Sequence, residues 1–285
     1  MNSSALVLVL VAACLHATWN LLAKRIGGGV TAVWLYDSVA LVIYAPITLI
    51  VIFWQHPRID SVALVLMVGS GLFHLGYFIF LQLGYRKGDL SLIYPLARGT
   101  GPLLSTIAAV IFLGERPTLI AFIGVLLIVL GVFLISGGLR LFGRREAYAA
   151  LFFGIVTGVF IAMYTLWDKE AVSTFLVSPL LYFYGATIVR VALLAPYTAR
   201  HWQTASTEWR EHHFKIIGVG ILSPLAYFLI LVAFTLAPVS YVAPGREISV
   251  LLGTLMGARL LEEGDAKRRL LAASIMLLGI IMLAI

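Results

Sequence analysis

Apolar residues run along this chain in long blocks, each close to the length of a membrane crossing, separated by short polar breaks. About 20 apolar residues in helix cover the roughly 30 Å of hydrocarbon in a bilayer. That template predicts ten helices, at 3–23, 31–54, 61–84, 90–113, 118–138, 148–168, 178–199, 214–236, 240–261 and 268–285. The breaks carry turn or charge chemistry, as in Gln55-His56-Pro57-Arg58, Gly114-Glu115-Arg116-Pro117 and Arg144-Arg145-Glu146. Connections this short make consecutive helices antiparallel neighbours. The longest polar stretch, Tyr197 to Lys215, is too short to fold alone. The N-terminal run lacks a basic flank and a clear small-residue cleavage site, so it reads as the first crossing rather than a removable leader.

Composition agrees with the pattern. Of 285 residues 61% are hydrophobic and 12% charged, where a soluble domain carries about 25% charged residues. The net charge of +7 lies in short clusters between apolar runs, which is orientation chemistry and not a nucleic-acid surface. The connections after the first, third, fifth, seventh and ninth crossings, with the helix ends beside them, hold 14 of the 20 Lys and Arg residues, and the other connections hold 3. An excess of Lys and Arg marks the cytoplasmic side. Both termini are therefore expected outside, in the periplasm of a bacterium. A single cysteine, Cys14, excludes an internal disulfide and a cysteine metal cage. Many of the 26 glycines fall inside crossings, where small residues let helices approach closely; Gly69 and Gly71, Gly154 and Gly158, and Gly253 and Gly257 fit that role.

The two halves echo each other. His16-Ala17-Thr18-Trp19-Asn20 with Lys24 aligns with Ile161-Ala162-Met163-Tyr164-Thr165 with Lys169; Ser91–Pro95 aligns with Ser240–Pro244, and Leu113-Gly114-Glu115 with Leu261-Glu262-Glu263. Three matches in one order at a nearly constant offset point to a duplicated five-helix unit, over 1–139 and 140–285. An odd number of crossings makes the second copy enter the membrane inverted. Inverted repeats are a recurring build of secondary transporters, whose sites lie between the repeats near the midplane.

Ionisable groups within crossings each need a reason. Arg98 lies one turn after Tyr94-Pro95, where proline is expected to interrupt the fourth helix. Arg246 and Glu247 follow Pro244-Gly245 at the related place in the second half. Both arginines suit a cargo carboxylate through paired hydrogen bonds, and Glu247 suits an amino group; the other reading is an internal Arg–Glu pair that locks two helices. His74, Tyr77 and Phe78 in the third helix, Tyr227 in the eighth, and Trp19, Asn20, Tyr164 and Trp167 in the first helices of the two halves add an aromatic wall with few polar groups, the usual make-up of a small-molecule pocket. Trp and Tyr also populate interface belts, and Trp167, beside Asp168-Lys169-Glu170, fits that reading too. Asp37 and Arg190 sit near crossing ends and read as structural. No hydrolase, phosphate-loop or zinc motif is present; no cofactor or metal is expected, and the protein is read as a monomer in the bilayer and not an enzyme.

Ten crossings in two halves, the stretch from Asp89-Leu90-Ser91-Leu92 through Tyr94-Pro95-Leu96 to Phe112-Leu113-Gly114-Glu115-Arg116-Pro117-Thr118, and its looser counterpart from Ala237-Pro238-Val239-Ser240 to Leu261-Glu262-Glu263-Gly264 resemble the EamA-type drug/metabolite transporters. The resemblance implies a secondary carrier of small metabolites, with bacterial amino-acid exporters, including the aromatic amino-acid type, as the nearest functional model. A broad drug exporter is the alternative, and an intramembrane lipid-modifying enzyme a remote one. Four-helix multidrug members of that superfamily couple protons through an acidic residue in the first helix; 3–23 has no Asp or Glu.

Overall fold

A computed structural model describes residues 3–24, 26, 29–57, 59–87, 90–135, 147–252 and 266–284. Among them every regular element is helical. The helices are α1 Ser3–Lys24, α2 Val30–Gln55, α3 Ser61–Lys87, α4 Leu90–Phe112, α5 Leu119–Ile135, α6 Ala147–Ser173, α7 Pro179–Arg200, α8 Trp202–Leu236, α9 Val239–Gly245 and α10 Ala266–Ala284. α1, α2, α3, α7 and α8 are each long and apolar enough to cross a membrane. Their outward faces, and those of α4 and α5, expose large apolar side chains such as Val42, Trp54, Phe112 and Leu119. In water such surfaces would drive aggregation; in lipid they are the solvated face. The chain is a multi-pass membrane protein.

Helices distant in sequence pair more than consecutive ones. α1 packs on α8 and α3 on α6; α2 lies against α7 and α8; α3 also meets α7; α5 pairs with α10 and α4 with α6. Glycines set several of these approaches. A Cβ on Gly124 would lie 2.7 Å from the Gly279 carbonyl oxygen, and one on Gly279 would lie 2.6 Å from that of Gly124, so α5 and α10 touch backbone to backbone. A Cβ on Gly69 would meet the Trp167 indole at 2.6 Å, and one on Gly71 would meet Val189 at the same distance. Gly158 receives the Thr100 side chain. Gly253 and Gly257 lie outside the described residues, as does the boundary expected at 139/140.

Three local features differ from the sequence expectation. α4 runs unbroken through Pro95, although Pro95 is the sixth residue of the helix and supplies no N–H to the carbonyl four residues before it. The interruption falls instead after α9. α9 ends at Gly245, Arg246 and Glu247 form a turn, and helix resumes over 248–252. Pro244 donates no hydrogen bond, and the ladder tightens to three-residue spacing, with Glu247 N bonded to Pro244 O at 3.0 Å, Ser249 N to Arg246 O at 3.1 Å and Val250 N to Glu247 O at 2.9 Å. The start of α9 is held by Glu115, whose carboxylate accepts from the Val239 and Ser240 N–H groups at 2.7 and 2.9 Å. Third, the polar stretch before the eighth crossing is helical. α8 begins at Trp202 and kinks at His212 (φ −132°, ψ 17°), so Trp202 and Trp209 lie half-exposed on a segment flanked by Arg200, Arg210 and Lys215.

Candidate functional site

α1, α4, α6, α8 and the turn after α9 enclose a cavity of about 50 Å³, lined by Ala12, Ala13, His16, Arg98, Tyr164, Ala226, Tyr227, Ile230 and Arg246. That volume holds a few waters or one charged head group. Alanines at 12, 13 and 226 keep the helices' backbones close to the space and leave it to the polar groups.

The two arginines differ in their bonding. Arg98 is 7% exposed, and its Nε lies 3.0 Å from Glu247 Oε2, while its Nη2 donates to Ser249 Oγ at 3.1 Å. The pair joins α4 to the turn after α9, and Glu247 itself is 1% exposed. Arg246 is 9% exposed, and its Nε and Nη2 have no hydrogen-bond partner among the described residues. Its guanidinium carbon lies 5.8 Å from the centre of the Tyr164 ring, a cation–π distance that stabilises the charge without using its N–H groups. The turn at 246–247 thus splits adjacent charges: the carboxylate is spent on Arg98 and one guanidinium is left open to the cavity.

Around Tyr164 the aromatic residues form one cluster. His74 stacks on it at 4.1 Å and meets Tyr227 edge-on at 5.3 Å, and Tyr77 meets Tyr164 edge-on at 6.0 Å. His74 Nδ1 bonds the Ser70 carbonyl at 2.9 Å; because the carbonyl accepts, that nitrogen carries the hydrogen. Tyr227 donates to Asp168 Oδ2, and Tyr182 donates to Asp168 Oδ1 at 2.6 Å.

Of the residues singled out from the sequence, Arg98, Tyr164, Tyr227 and Arg246 line the cavity, while Glu247, His74 and Tyr77 stand directly behind them. Trp19 meets the cavity wall at His16, edge-on with ring centres 4.7 Å apart, and packs on the cluster formed by α1, α2 and α8. Three stand elsewhere. Asn20 bonds its own helix at the His16 carbonyl. Trp167 donates to the Leu66 carbonyl at 2.8 Å and packs edge-on to Phe73, which fixes it between α3 and α6. Phe78 is not among the lining residues. The side chain of Tyr94 lies outside the described residues. His16, Asp168 and Tyr182 join the site without having stood out in the sequence. Helical spacing carries a signal for two of them: His16 follows Ala12 and Ala13 at four and three residues, and Asp168 follows Tyr164 at four. Asp37 and Arg190 form a two-pronged ion pair between α2 and α7, at 2.9 and 3.0 Å.

A solved structure described only as "Crystal structure of protein" shares this fold, with a TM-score of 0.77 over 99% of this chain and 96% of the other at 18% identity. None of the curated proteins compared matches the sequence. Residues 3–137, from the first helix to the end of α5, match the family model of the EamA-like transporters.

Proposed function

We propose that the chain is an EamA-type secondary transporter that works by alternating access, exporting amino acids or similar small metabolites across the inner membrane of a bacterium. The observation that carries the reading is Arg246, a buried guanidinium facing a cavity with two nitrogens unbonded among the described residues. Buried N–H groups of a cation left without hydrogen bonds are costly, and a cargo carboxylate supplies acceptors for two parallel hydrogen bonds. Arg98 plays a different part. Bound to Glu247, it ties α4 to the ninth crossing and sets where Arg246 points.

The pairing of helices supports two inverted repeats over 1–139 and 140–285. Exchanging α1 with α6, α2 with α7, α3 with α8, α4 with α9 and α5 with α10 turns the α1–α8 contact into α6–α3, turns α2–α8 into α7–α3, and leaves α2–α7 and α5–α10 unchanged. A cavity of about 50 Å³ seats a head group but not a whole amino acid with a large side chain, so loading requires the halves to part. Periplasmic termini follow from the charge bias of the connections.

The test is uptake of radiolabelled amino acids into liposomes holding the purified protein. Transport by the native protein and its loss in Arg246→Gln support the reading; undiminished transport in Arg246→Gln removes Arg246 from the site.

A further inference from the structure

An amino acid brings an ammonium as well as a carboxylate, and the acceptor for it is not Glu247, which is committed to Arg98. The remaining acid at this site is Asp168 on α6, fully buried and one turn beyond Tyr164. Two phenols hold it, Tyr182 from α7 and Tyr227 from α8, and Tyr227 is itself a wall of the cavity. No cation bonds it among the described residues. Its neighbour Lys169 turns away to the carbonyls of Phe234 and Ala237. Arg190, the nearest charge on α7, is matched by Asp37 of α2. From α3, Ser70 and His74 face the same cluster, with His74 edge-on to Tyr227. On the α4 and α9 side, Arg98 is bound to Glu247, and Arg246 lies over Tyr164, while from α1 His16 lines the cavity with Tyr227.

We propose that Asp168 is a proton-binding site read out in the cavity through Tyr227, so that a proton and the cargo ammonium occupy the pair in alternation and transport is an exchange of amino acid for proton. The proposal rests on the amino-acid reading above. When Asp168 is ionised it accepts the Tyr227 hydroxyl hydrogen, and the phenol oxygen, strengthened as an acceptor by the bond it donates, turns its lone pairs to the cavity. An ammonium docks there while the carboxylate sits on Arg246. When Asp168 takes up a proton, its new O–H is donated to the Tyr227 oxygen, and the phenol hydrogen swings into the cavity. A donor then stands where the ammonium needs an acceptor, and the cargo leaves. Only an O–H bond is made and broken: one proton enters from the side to which cargo is released and departs toward the side from which cargo is loaded. Carboxylates and histidines linked in this way inside membrane helices are the usual material of proton paths.

Two readouts test this. The first needs no cargo: infrared difference spectra of the reconstituted protein between acidic and alkaline buffer. The expected result is a protonated-carboxyl band that appears on acidification, is absent in Asp168→Asn and shifts in Tyr227→Phe. The second is accumulation of radiolabelled phenylalanine in liposomes under an imposed proton gradient, with 3-phenylpropionate, which lacks the ammonium, as comparison. A gradient of one pH unit should drive up to about tenfold accumulation of phenylalanine, none of 3-phenylpropionate, and none of phenylalanine in Tyr227→Phe, a variant that keeps the ring and its packing. Absence of an infrared band assignable to Asp168, or full gradient-driven accumulation in Tyr227→Phe, overturns the proposal. Failure of the cargo reading looks different: native liposomes carry no amino acid while the Asp168 band persists, which supports the proton site and overturns the exchange.

Discussion

Replacing Glu247 by leucine leaves two guanidinium groups in one small cavity with no carboxylate between them. In the native protein the Arg98–Glu247 contact is 3.0 Å, and both side chains are almost wholly buried, at 8% and 2% exposure. Removing one partner of a buried ion pair costs about 3–5 kcal/mol, mostly because the other charge is left without compensation. Ser249 retains one hydrogen bond to Arg98, a neutral acceptor that offsets little of a full charge, so the upper part of that range is expected. At about 2 °C per kcal/mol for a chain of this size, the apparent melting temperature in detergent should fall by roughly 8–10 °C. The double variant Arg98→Met/Glu247→Leu removes both charges and fills the space with apolar atoms, and should recover most of the loss, since apolar replacement of a whole buried pair is often neutral or better. A single variant as stable as the native protein, or a double variant less stable than the single, would refute the assignment of Glu247 to Arg98.

Other perturbations follow the same reasoning. Gly279→Val forces a side chain against the Gly124 carbonyl and should cost about 1–3 kcal/mol as overpacking, seen as a lower melting temperature with Gly124→Val behaving alike. Arg190→Leu strands Asp37 between α2 and α7 and should be destabilising by about 3–5 kcal/mol, while Asp37→Leu/Arg190→Leu recovers part of it. Glu115→Ala uncaps the start of α9 and should cost about 0.5–2 kcal/mol, with faster hydrogen exchange at Val239 and Ser240 as the local signature.

Hydropathy exposed the helices because lipid asks one simple thing of a crossing, an apolar run of sufficient length, and the blocks around α1, α2 and α3 satisfy it almost residue for residue. It erred where backbone chemistry is local. Pro95 and Pro244 are each the sixth residue of their helix, yet α4 continues and α9 ends one residue later, and the two are indistinguishable as composition. The site was legible as far as isolated charges reveal it: Arg98, Arg246 and Glu247 stand out against apolar surroundings. Which arginine keeps its charge open to the cavity was not legible, because that depends on a turn rotating Glu247 toward α4. Asp168 was hidden for the opposite reason. Followed by Lys169 and Glu170, it looks like the charged end of a helix, yet Tyr182 and Tyr227, from two other helices, fold over it. Trp167 was ambiguous because an indole inside the membrane fits a packing role, as in its bond to Leu66, as well as it fits a pocket.

The central claim is that Arg246 receives the carboxylate of the cargo. The most direct measurement is binding of radiolabelled amino acids to the purified protein, native and Arg246→Gln, with the matching amino-acid amides, which lack the carboxylate charge, as competitors. The account predicts binding to the native protein, no competition from the amides, and binding reduced at least about tenfold in Arg246→Gln, the equivalent of about 1.4 kcal/mol. Equal binding by the two proteins, or full competition by the amides, would contradict it.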